Sequence, residues 1–450
     1  MQKRKREIDM THGIIWKQLL LFALPLLAGN VFQQFYNTVD SIVVGNFVGK
    51  EALAAVGSVG PIINSLIGFF MGLATGAGVV ISQAYGAKNE EKVSLAVHTT
   101  LVMTFFLCVL FSVVGVIAAP AMLRLMSTPE DVFPEAARYL KIYFAGVSGL
   151  MFYNMGAGIL RAVGDSRRPL YFLIFSACMN TVLDVVFVAV MRMGIGGAAW
   201  ATVISQVLSA ILILVVLSRT SGSYQIRPAC LHIHRKTLKE IVSLGLPAAV
   251  QMMITSFSNV FVQSYINAFG SSVMAGWSAY TKIDQFILLP MQSVSLAATT
   301  FVGQNFGAGK MERIRRGSAT AVCLAMGTTL VLMIPLLVLA PQLVELFNRD
   351  QEVILYGAML LRMMSPFYLV CCINQVYAST LRGLGNTKAP MVIMLSSFVV
   401  FRQIYLFFIS RLVGTIRAVA FGYPAGWIVC SVSLLVYYRW YYHRRVEGRN

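Results

Sequence analysis

Charged residues are scarce in this sequence. Of 450 residues, 12% are charged and 57% are hydrophobic, and the mean hydropathy is +0.72. A soluble globular chain carries roughly 25% charged residues, so this chain has too few polar side chains to cover its own surface. Apolar runs at 93–118, 169–190 and 317–340 each reach the roughly 20 residues that a helix needs to cross a bilayer. The short alternating segments of a membrane barrel do not occur. The sequence therefore predicts an all-α integral membrane protein.

The motifs of enzymes and ATP-driven pumps are also missing. The chain has no Gly-x-x-x-x-Gly-Lys-Ser/Thr phosphate loop, no His-Glu-x-x-His and no nucleophile elbow. The seven cysteines are odd in number and fit no metal spacing. We therefore predict a protein that is not an enzyme and has no cofactor. Any energy for transport would come from an ion gradient.

The net charge of +18 arises from 36 Lys and Arg against 18 Asp and Glu. Most of the basic residues lie in short loops on one side of the predicted spans. The positive-inside rule accounts for that placement without a nucleic-acid partner. It also predicts that both termini are cytoplasmic.

The second half of the chain repeats the first. Residues 83–87 (Gln-Ala-Tyr-Gly-Ala) match residues 304–308 (Gln-Asn-Phe-Gly-Ala). Residues 160–169 match residues 381–390 in the same register, with the shared pattern Leu-Arg-x-x-Gly-Asp/Asn-Ser/Thr-x-x-Pro. Pro25 matches Pro247 one residue out of that register. The repeat predicts two parallel halves of six helices each, about twelve in all.

The expected division has four parts. The N-terminal lobe spans 1–218, a cytoplasmic linker 219–237, the C-terminal lobe 238–440 and a basic tail 441–450. An even number of spans in each lobe makes the two repeats parallel, because both then enter the membrane from the same side.

Ionisable residues inside membrane spans are costly and mark function by default. Asp40 lies late in the first helix, and Asp184 lies one helical turn after Asn180 in the fifth. Their repeat partners are Val262 and Tyr405, so the repeat itself does not require the two acids. Such a pair can take up a proton, or it can join amide and hydroxyl oxygens in holding sodium. Four further residues in the second half are candidates for a cavity or substrate role: Lys282, Asp284, Gln251 and Arg402. Arg402 could instead serve as a counter-ion or as a snorkelling end group.

Three further features bear on helix packing and shape. Pro25 in the first helix permits a kink. Gly68, Gly72 and Gly76 allow close helix approach. The flexible side chains of Met252 and Met253 suit either a varied ligand surface or core filling.

The order of these repeated motifs, with the proline of helix 1, resembles the multidrug and toxic compound extrusion (MATE) family over essentially the whole chain. The details resemble its DinF-like branch. That resemblance implies an N-lobe cation site at Asp40, Asn180, Asp184 and Thr202, open to a proton or sodium. A wider polar network is expected at Tyr36, Asn37, Tyr139 and Asn154. Another branch uses an acid in helix 7, where this chain has only Glu240 at the helix start.

The resemblance further implies two bundles around a central cleft and secondary active efflux of amphipathic, often cationic drugs. The expected setting is a bacterial plasma membrane, and we expect a monomer. An alternative is a flippase for a lipid-linked precursor, which would favour a more basic cavity and extra helices.

Overall fold

The computed structural model describes residues 7–48, 50–126 and 128–446. Side chains are described over those ranges apart from residues 36, 37, 39–46, 50–54, 445 and 446. The chain folds into two compact units, one of residues 1–9 and 25–249 and the other of residues 10–24 and 250–450.

The first unit contains the later part of α1 and the early part of α8. The first unit also contains six complete helices: α2 (Lys50–Gly86), α3 (Glu90–Leu125), α4 (Phe133–Ala145), α5 (Val147–Ala162), α6 (Arg167–Asp184) and α7 (Ile195–Arg219). The two shared helices are α1 (Ile15–Phe47) and α8 (Arg235–Asn267). A π-helical segment, Val185–Val190, continues α6.

The second unit contains the remaining parts of α1 and α8 and all later helices. These are α9 (Ser271–Gly307), α10 (Met311–Val338), α11 (Ala340–Glu345), α12 (Gln351–Met364), α13 (Tyr368–Gly383), α14 (Lys388–Leu395), α15 (Arg402–Leu412), α16 (Ile416–Ala420) and α17 (Gly422–Val446). A 3-10 turn, Ser365–Phe367, joins α12 to α13, and a π-helical segment, Ser396–Phe401, joins α14 to α15.

Eleven helical stretches in the described chain are long and apolar enough to cross a membrane. The count falls one short of the predicted twelve because α4 and α5, which meet at Gly146, are each shorter than a membrane-spanning helix. Large apolar side chains remain exposed on the spans, including Ile117 at 75% and Val331 at 69%. Lipid is the natural neighbour of such side chains, and a helix can face lipid because its backbone bonds are internal.

The repeated pattern Leu-Arg-x-x-Gly-Asp/Asn has a structural cause that is the same in both units. Gly164 and Gly385 follow α5 and α13 with φ of 95° and 82°, a region that favours glycine. The next residue caps the following helix. Asp165 accepts from the backbone N–H of Arg167 and Arg168 at 3.1 Å, and Asn386 accepts from Ala389 N at 3.2 Å. The repeat thus records a tight helix–turn–helix junction.

Close packing of α2 against the early part of α8 builds the first unit. A Cβ atom added at Gly72 would lie 2.3 Å from the Ala249 backbone, and one added at Gly76 would lie 2.3 Å from the Gly245 backbone. Only glycine fits at either position, so the two backbones touch. Association of helices in lipid depends on such contacts, because lipid tails remove the hydrophobic driving force between helices.

We therefore predict that Gly76→Ala destabilises the protein. The added methyl group collides with backbone rather than with a flexible side chain, and overpacking of this kind costs about 1–3 kcal/mol. The check is the midpoint of thermal unfolding of the purified protein in detergent, which should fall.

Gly327→Ala is the matched control. Gly327 lies inside α10, and a Cβ there would meet no atom within 4 Å. Alanine at an open helical position is about 0.5–1 kcal/mol better than glycine, so the control midpoint should hold or rise. Equal midpoints for both variants would contradict the proposed contact.

Candidate functional site

Two polar residues of α6 and one of α7 form a buried group in the first unit. Asn180 is 2% exposed and Asp184 is fully buried. They lie four residues apart, so they share one face of α6. Thr202, near the start of α7, is 9% exposed and faces Asn180. The structure thus brings together three of the four residues expected to bind a cation.

Hydrogen bonding ties the three residues to one another. The Asn180 amide is assigned in the orientation that gives both its nitrogen and its oxygen a hydrogen-bond partner. In this orientation, Asn180 Nδ2 donates to Asp184 Oδ2 at 3.2 Å and Asn180 Oδ1 accepts from Thr202 N at 3.3 Å. The Thr202 hydroxyl donates to Ala198 O at 3.1 Å, which leaves its oxygen free to accept or to coordinate. Carboxylate, amide and hydroxyl oxygens suit a proton or a small hard cation.

The backbone changes its winding directly after the acid. Asp184 ends α6, and the π-helical segment Val185–Val190 begins at the next residue. Such segments are rare and concentrate at functional sites. In the second unit, the π-helical segment Ser396–Phe401 directly precedes Arg402. By the register of the repeat it corresponds to 175–180, so the two segments are not equivalent positions.

The remaining residues predicted in the first unit fall into two groups. Tyr139 is buried and stacks on Tyr143 with ring centroids 6.4 Å apart. Asn154 donates to Leu150 O of its own helix at 2.8 Å. The predicted residues Tyr36, Asn37 and Asp40 lie in α1 as expected, but their side chains lie outside the described residues. Pro25 also lies in α1, which continues through it.

Arg402 is buried within the second unit, where its Nη2 atom has two hydrogen-bond partners. Its Nη2 donates to Ser258 Oγ at 3.0 Å and to Asn259 Oδ1 at 2.9 Å. Its guanidinium lies 4.6 Å from the Tyr423 ring centroid. These contacts anchor α15 to α8 and α17.

The other residues predicted in the second unit do not converge. Gln251 accepts from Arg382 Nη2 at 2.6 Å, and both residues are buried. Lys282 is exposed and lies 5.6 Å from the Phe347 ring centroid. Met252 is half-buried and Met253 is exposed.

Asp284 has partners that the sequence analysis missed. Its carboxylate accepts a hydrogen bond from the Tyr368 hydroxyl and another from Tyr280. Tyr280 precedes Asp284 by four residues, a helical spacing that could have signalled the pair. Tyr368 lies 84 residues along the chain, and no sequence pattern points to it.

A second missed cluster lies around the residues that precede α1. Glu7 accepts hydrogen bonds from the hydroxyls of Tyr85 (3.0 Å) and Tyr224, and Ile8 N donates to Gly164 O at 3.0 Å. Burial, and then the bond to Glu7, raises the pKa of Tyr224. Burial also raises the pKa of Asp165 in the adjacent turn. Within the second unit, Met10 is held in turn by Gln304 and Asn305.

We predict that Asn180→Leu destabilises the protein more at alkaline than at acidic pH. The variant removes a donor to Asp184, and loss of a partner costs a buried charged group more than a neutral one, about 1–3 kcal/mol or above. The measurement is the thermal unfolding midpoint across a pH series.

Ser176→Ala is the control for that series. Ser176 donates to Ser205 O at 3.1 Å and so links the same two helices without touching the carboxylate. Its effect should not vary with pH. A pH-independent effect of Asn180→Leu would show that the amide does not serve Asp184.

Comparison with known proteins agrees with the repeat. The MatE family model matches the chain twice, over residues 25–186 and 247–408. The chain is 33% identical over 435 residues to the probable multidrug resistance protein YoeA of Bacillus subtilis (strain 168), covering 95% of this chain and 93% of that protein. It is 30% identical to the probable multidrug resistance protein YpnP of the same organism, covering 96% of both.

Among solved structures, the chain is similar to an outward-facing multidrug resistance MATE family transporter of the MOP superfamily. The TM-score is 0.91 at 24% identity, and the alignment covers 98% of this chain and 99% of that one. The predicted fold class, an all-α membrane protein of two repeats, is confirmed.

Proposed function

Because the chain belongs to the MatE family of membrane transporters, we propose that it exports amphipathic, often cationic drugs by antiport with protons or sodium ions. The family is one of transporters, not enzymes. Two relatives at 30% identity or more, covering nearly the whole chain, are named as probable multidrug resistance proteins, which supports drugs as the exported class.

The buried carboxylate of Asp184 carries the proposal. A charge in the hydrocarbon region costs at least about 2.5–3.5 kcal/mol on an insertion scale. Asp184 is fully buried in a membrane span, and Asn180 supplies a hydrogen-bond donor that suits its charged form. An inward-moving cation that neutralises it would relieve this cost, so the site can bind the coupling ion.

Cation binding would act on the exporter through two conformations. A ligand shifts an equilibrium only through its different affinities for the two states. Asp184 is the last residue of α6 before a π-helical segment. A change in the charge of Asp184 would therefore act on an irregularly wound part of the span. Asp40 and Pro25 in α1 complete the proposed coupling site. Drug and cation then compete for the same transporter, directly or through its shape.

The finer assignments belong to the same proposal. The match of Asn180, Asp184 and Thr202 to the expected cation site supports the DinF-like branch. The distribution of Lys and Arg supports cytoplasmic termini in a bacterial plasma membrane, with lobes at 1–218 and 238–440 joined by the linker 219–237. We propose a monomer as the working unit.

Gradient-driven export of ethidium from proteoliposomes tests the proposal. An imposed proton or sodium gradient should drive ethidium efflux by the wild-type chain. Asp184→Asn and Asp40→Asn should each reduce this efflux about tenfold or more, since coupling free energies of about 1–3 kcal/mol correspond to about 5- to 150-fold. Which gradient drives efflux identifies the coupling ion.

Glu345→Gln provides the matched control, because it removes an exposed carboxylate from the short helix α11. Its efflux should equal that of the wild type. Normal gradient-driven efflux in both aspartate variants would refute the coupling site. Movement of a lipid-linked substrate without ethidium efflux would favour the flippase.

A further inference from the structure

The second unit contains a membrane carboxylate that the proposed coupling site leaves unused. Asp284 lies in the middle of α9, one of the apolar spans. It accepts from the hydroxyls of Tyr368 on α13 and Tyr280 on α9. Its repeat partner is Ile63, an apolar residue, so the duplicated architecture does not require an acid here.

Aromatic side chains connect the two tyrosines of this site through an unbroken series of ring contacts, and Asp284 itself is half-buried. Tyr280 contacts Trp277 with centroids 5.1 Å apart, Trp277 contacts Tyr423 at 5.7 Å, Tyr423 contacts Trp427 at 6.2 Å and Trp427 contacts Tyr368 at 5.8 Å. The series therefore starts and ends on the two tyrosines that bind Asp284. Rings at these separations touch one another, so they leave no room for an organic ligand between them.

The charged and titratable groups near Asp284 are few. Tyr280 precedes it on α9, Tyr368 and Cys371 face it from α13, and Tyr423 faces it from α17. Arg402 reaches the outer side of this group, over the Tyr423 ring, where Ser258 and Asn259 already bind it. Lys282 is exposed beside Phe347. Across the described chain, the ion pairs involve other carboxylates.

A proton fits this site better than a metal cation does. The Tyr368 hydroxyl donates to the carboxylate, and the Tyr280 hydroxyl also hydrogen-bonds to it. A hard cation takes about six or more oxygen ligands, and no cluster of three His, Cys, Asp or Glu exists among the described residues. A proton needs only the carboxylate itself.

We propose that Asp284, held by Tyr280 and Tyr368, is a second proton-binding site that is loaded and unloaded during transport. This inference rests on the proposed antiport. It assigns to the second unit a coupling role that the sequence analysis gave to the first unit alone.

Protonation changes the hydrogen-bond count at this site. The ionised carboxylate only accepts, so both tyrosines can donate to it. Adding one proton forms an O–H bond on the carboxyl group, which then becomes a donor. The protonated oxygen now donates, so a tyrosine bonded to that oxygen must accept from it or lose its bond to Asp284, while the other carboxyl oxygen still accepts.

The Tyr368 hydroxyl belongs to a residue that lies at an interruption of a membrane span. Tyr368 is the first residue of α13 and directly follows the 3-10 turn Ser365–Phe367 that separates it from α12. The turn contains Pro366, which lacks the N–H that a continuous helix would use. Loading Asp284 therefore acts on the junction of α12 and α13 through the Tyr368 hydroxyl.

Infrared difference spectroscopy of the purified full chain in lipid, acidic minus alkaline buffer, reads the proton directly. The wild type should show a protonated-carboxyl band that is lost in Asp284→Asn and shifted in Tyr368→Phe. Tyr356→Phe is the control tyrosine, because Tyr356 packs in the same core without a hydrogen bond to Asp284. An Asp284→Asn spectrum identical to the wild type overturns the inference. So does a loss of the band on adding sodium at constant pH.

Ethidium efflux driven by a proton gradient then tests the role in transport. Asp284→Asn should slow efflux about tenfold, while Glu345→Gln should not. Wild-type efflux rates in Asp284→Asn would overturn the inference and leave the proposed function standing. Absence of efflux by the wild type would instead refute the proposed function, and the infrared band would still show whether Asp284 binds a proton.

Discussion

The cost of leaving a charge in hydrocarbon governs the arrangement of this protein. Its spans are apolar on nearly every face, and among the described residues the ionisable side chains of Asp184, Asp284 and Arg402 have polar partners inside them. Asp184 has an amide one turn away, Arg402 has two side-chain oxygens and a ring face, and Asp284 has two phenols. A charge held this way can remain in place, but a proton or cation that cancels it changes the balance at once. That sensitivity is what the proposed gradient-driven export requires.

The two units carry the ionisable side chains of their spans at different positions of the repeat. Asp184 corresponds to Tyr405, whose hydroxyl donates to Ala418 O at 2.9 Å, and Asp284 corresponds to Ile63. The turns between helices, in contrast, kept a glycine followed by an Asp or Asn that accepts from the next helix in both units. Backbone geometry at the junctions has been retained, while the polar chemistry inside the spans has diverged. Each unit also has a π-helical segment beside a charged residue, again at non-equivalent positions.

Composition and the repeat were sufficient to predict the fold class, because hydropathy and helix length are set by the bilayer. The placement of Asn180 beside Asp184 followed from helical spacing alone, and Thr202 was added by family resemblance. The partners of Asp284 could not be predicted in the same way. Tyr368 meets it only after α9 and α13 have packed together, and tyrosines are common enough that no spacing singles one out. Arg402 illustrates the same limit, since its contacts with Ser258 and Asn259 arise from packing across 143 and 144 residues of chain.

The division of α1 and α8 has a consequence for how the protein could have arisen and how it could be taken apart. The sequence duplicates near its middle, yet the structural division falls inside two helices, at Leu24–Pro25 and Ala249–Val250. A cut in the linker 219–237 would separate the two repeats. Residues 10–24, which belong to the second unit, would then stay on the N-terminal fragment, and residues 238–249, which belong to the first unit, would stay on the C-terminal fragment. Each fragment would lack a segment of helix that belongs to its own unit. Cleavage at the point where the two copies are joined would therefore not yield two complete units.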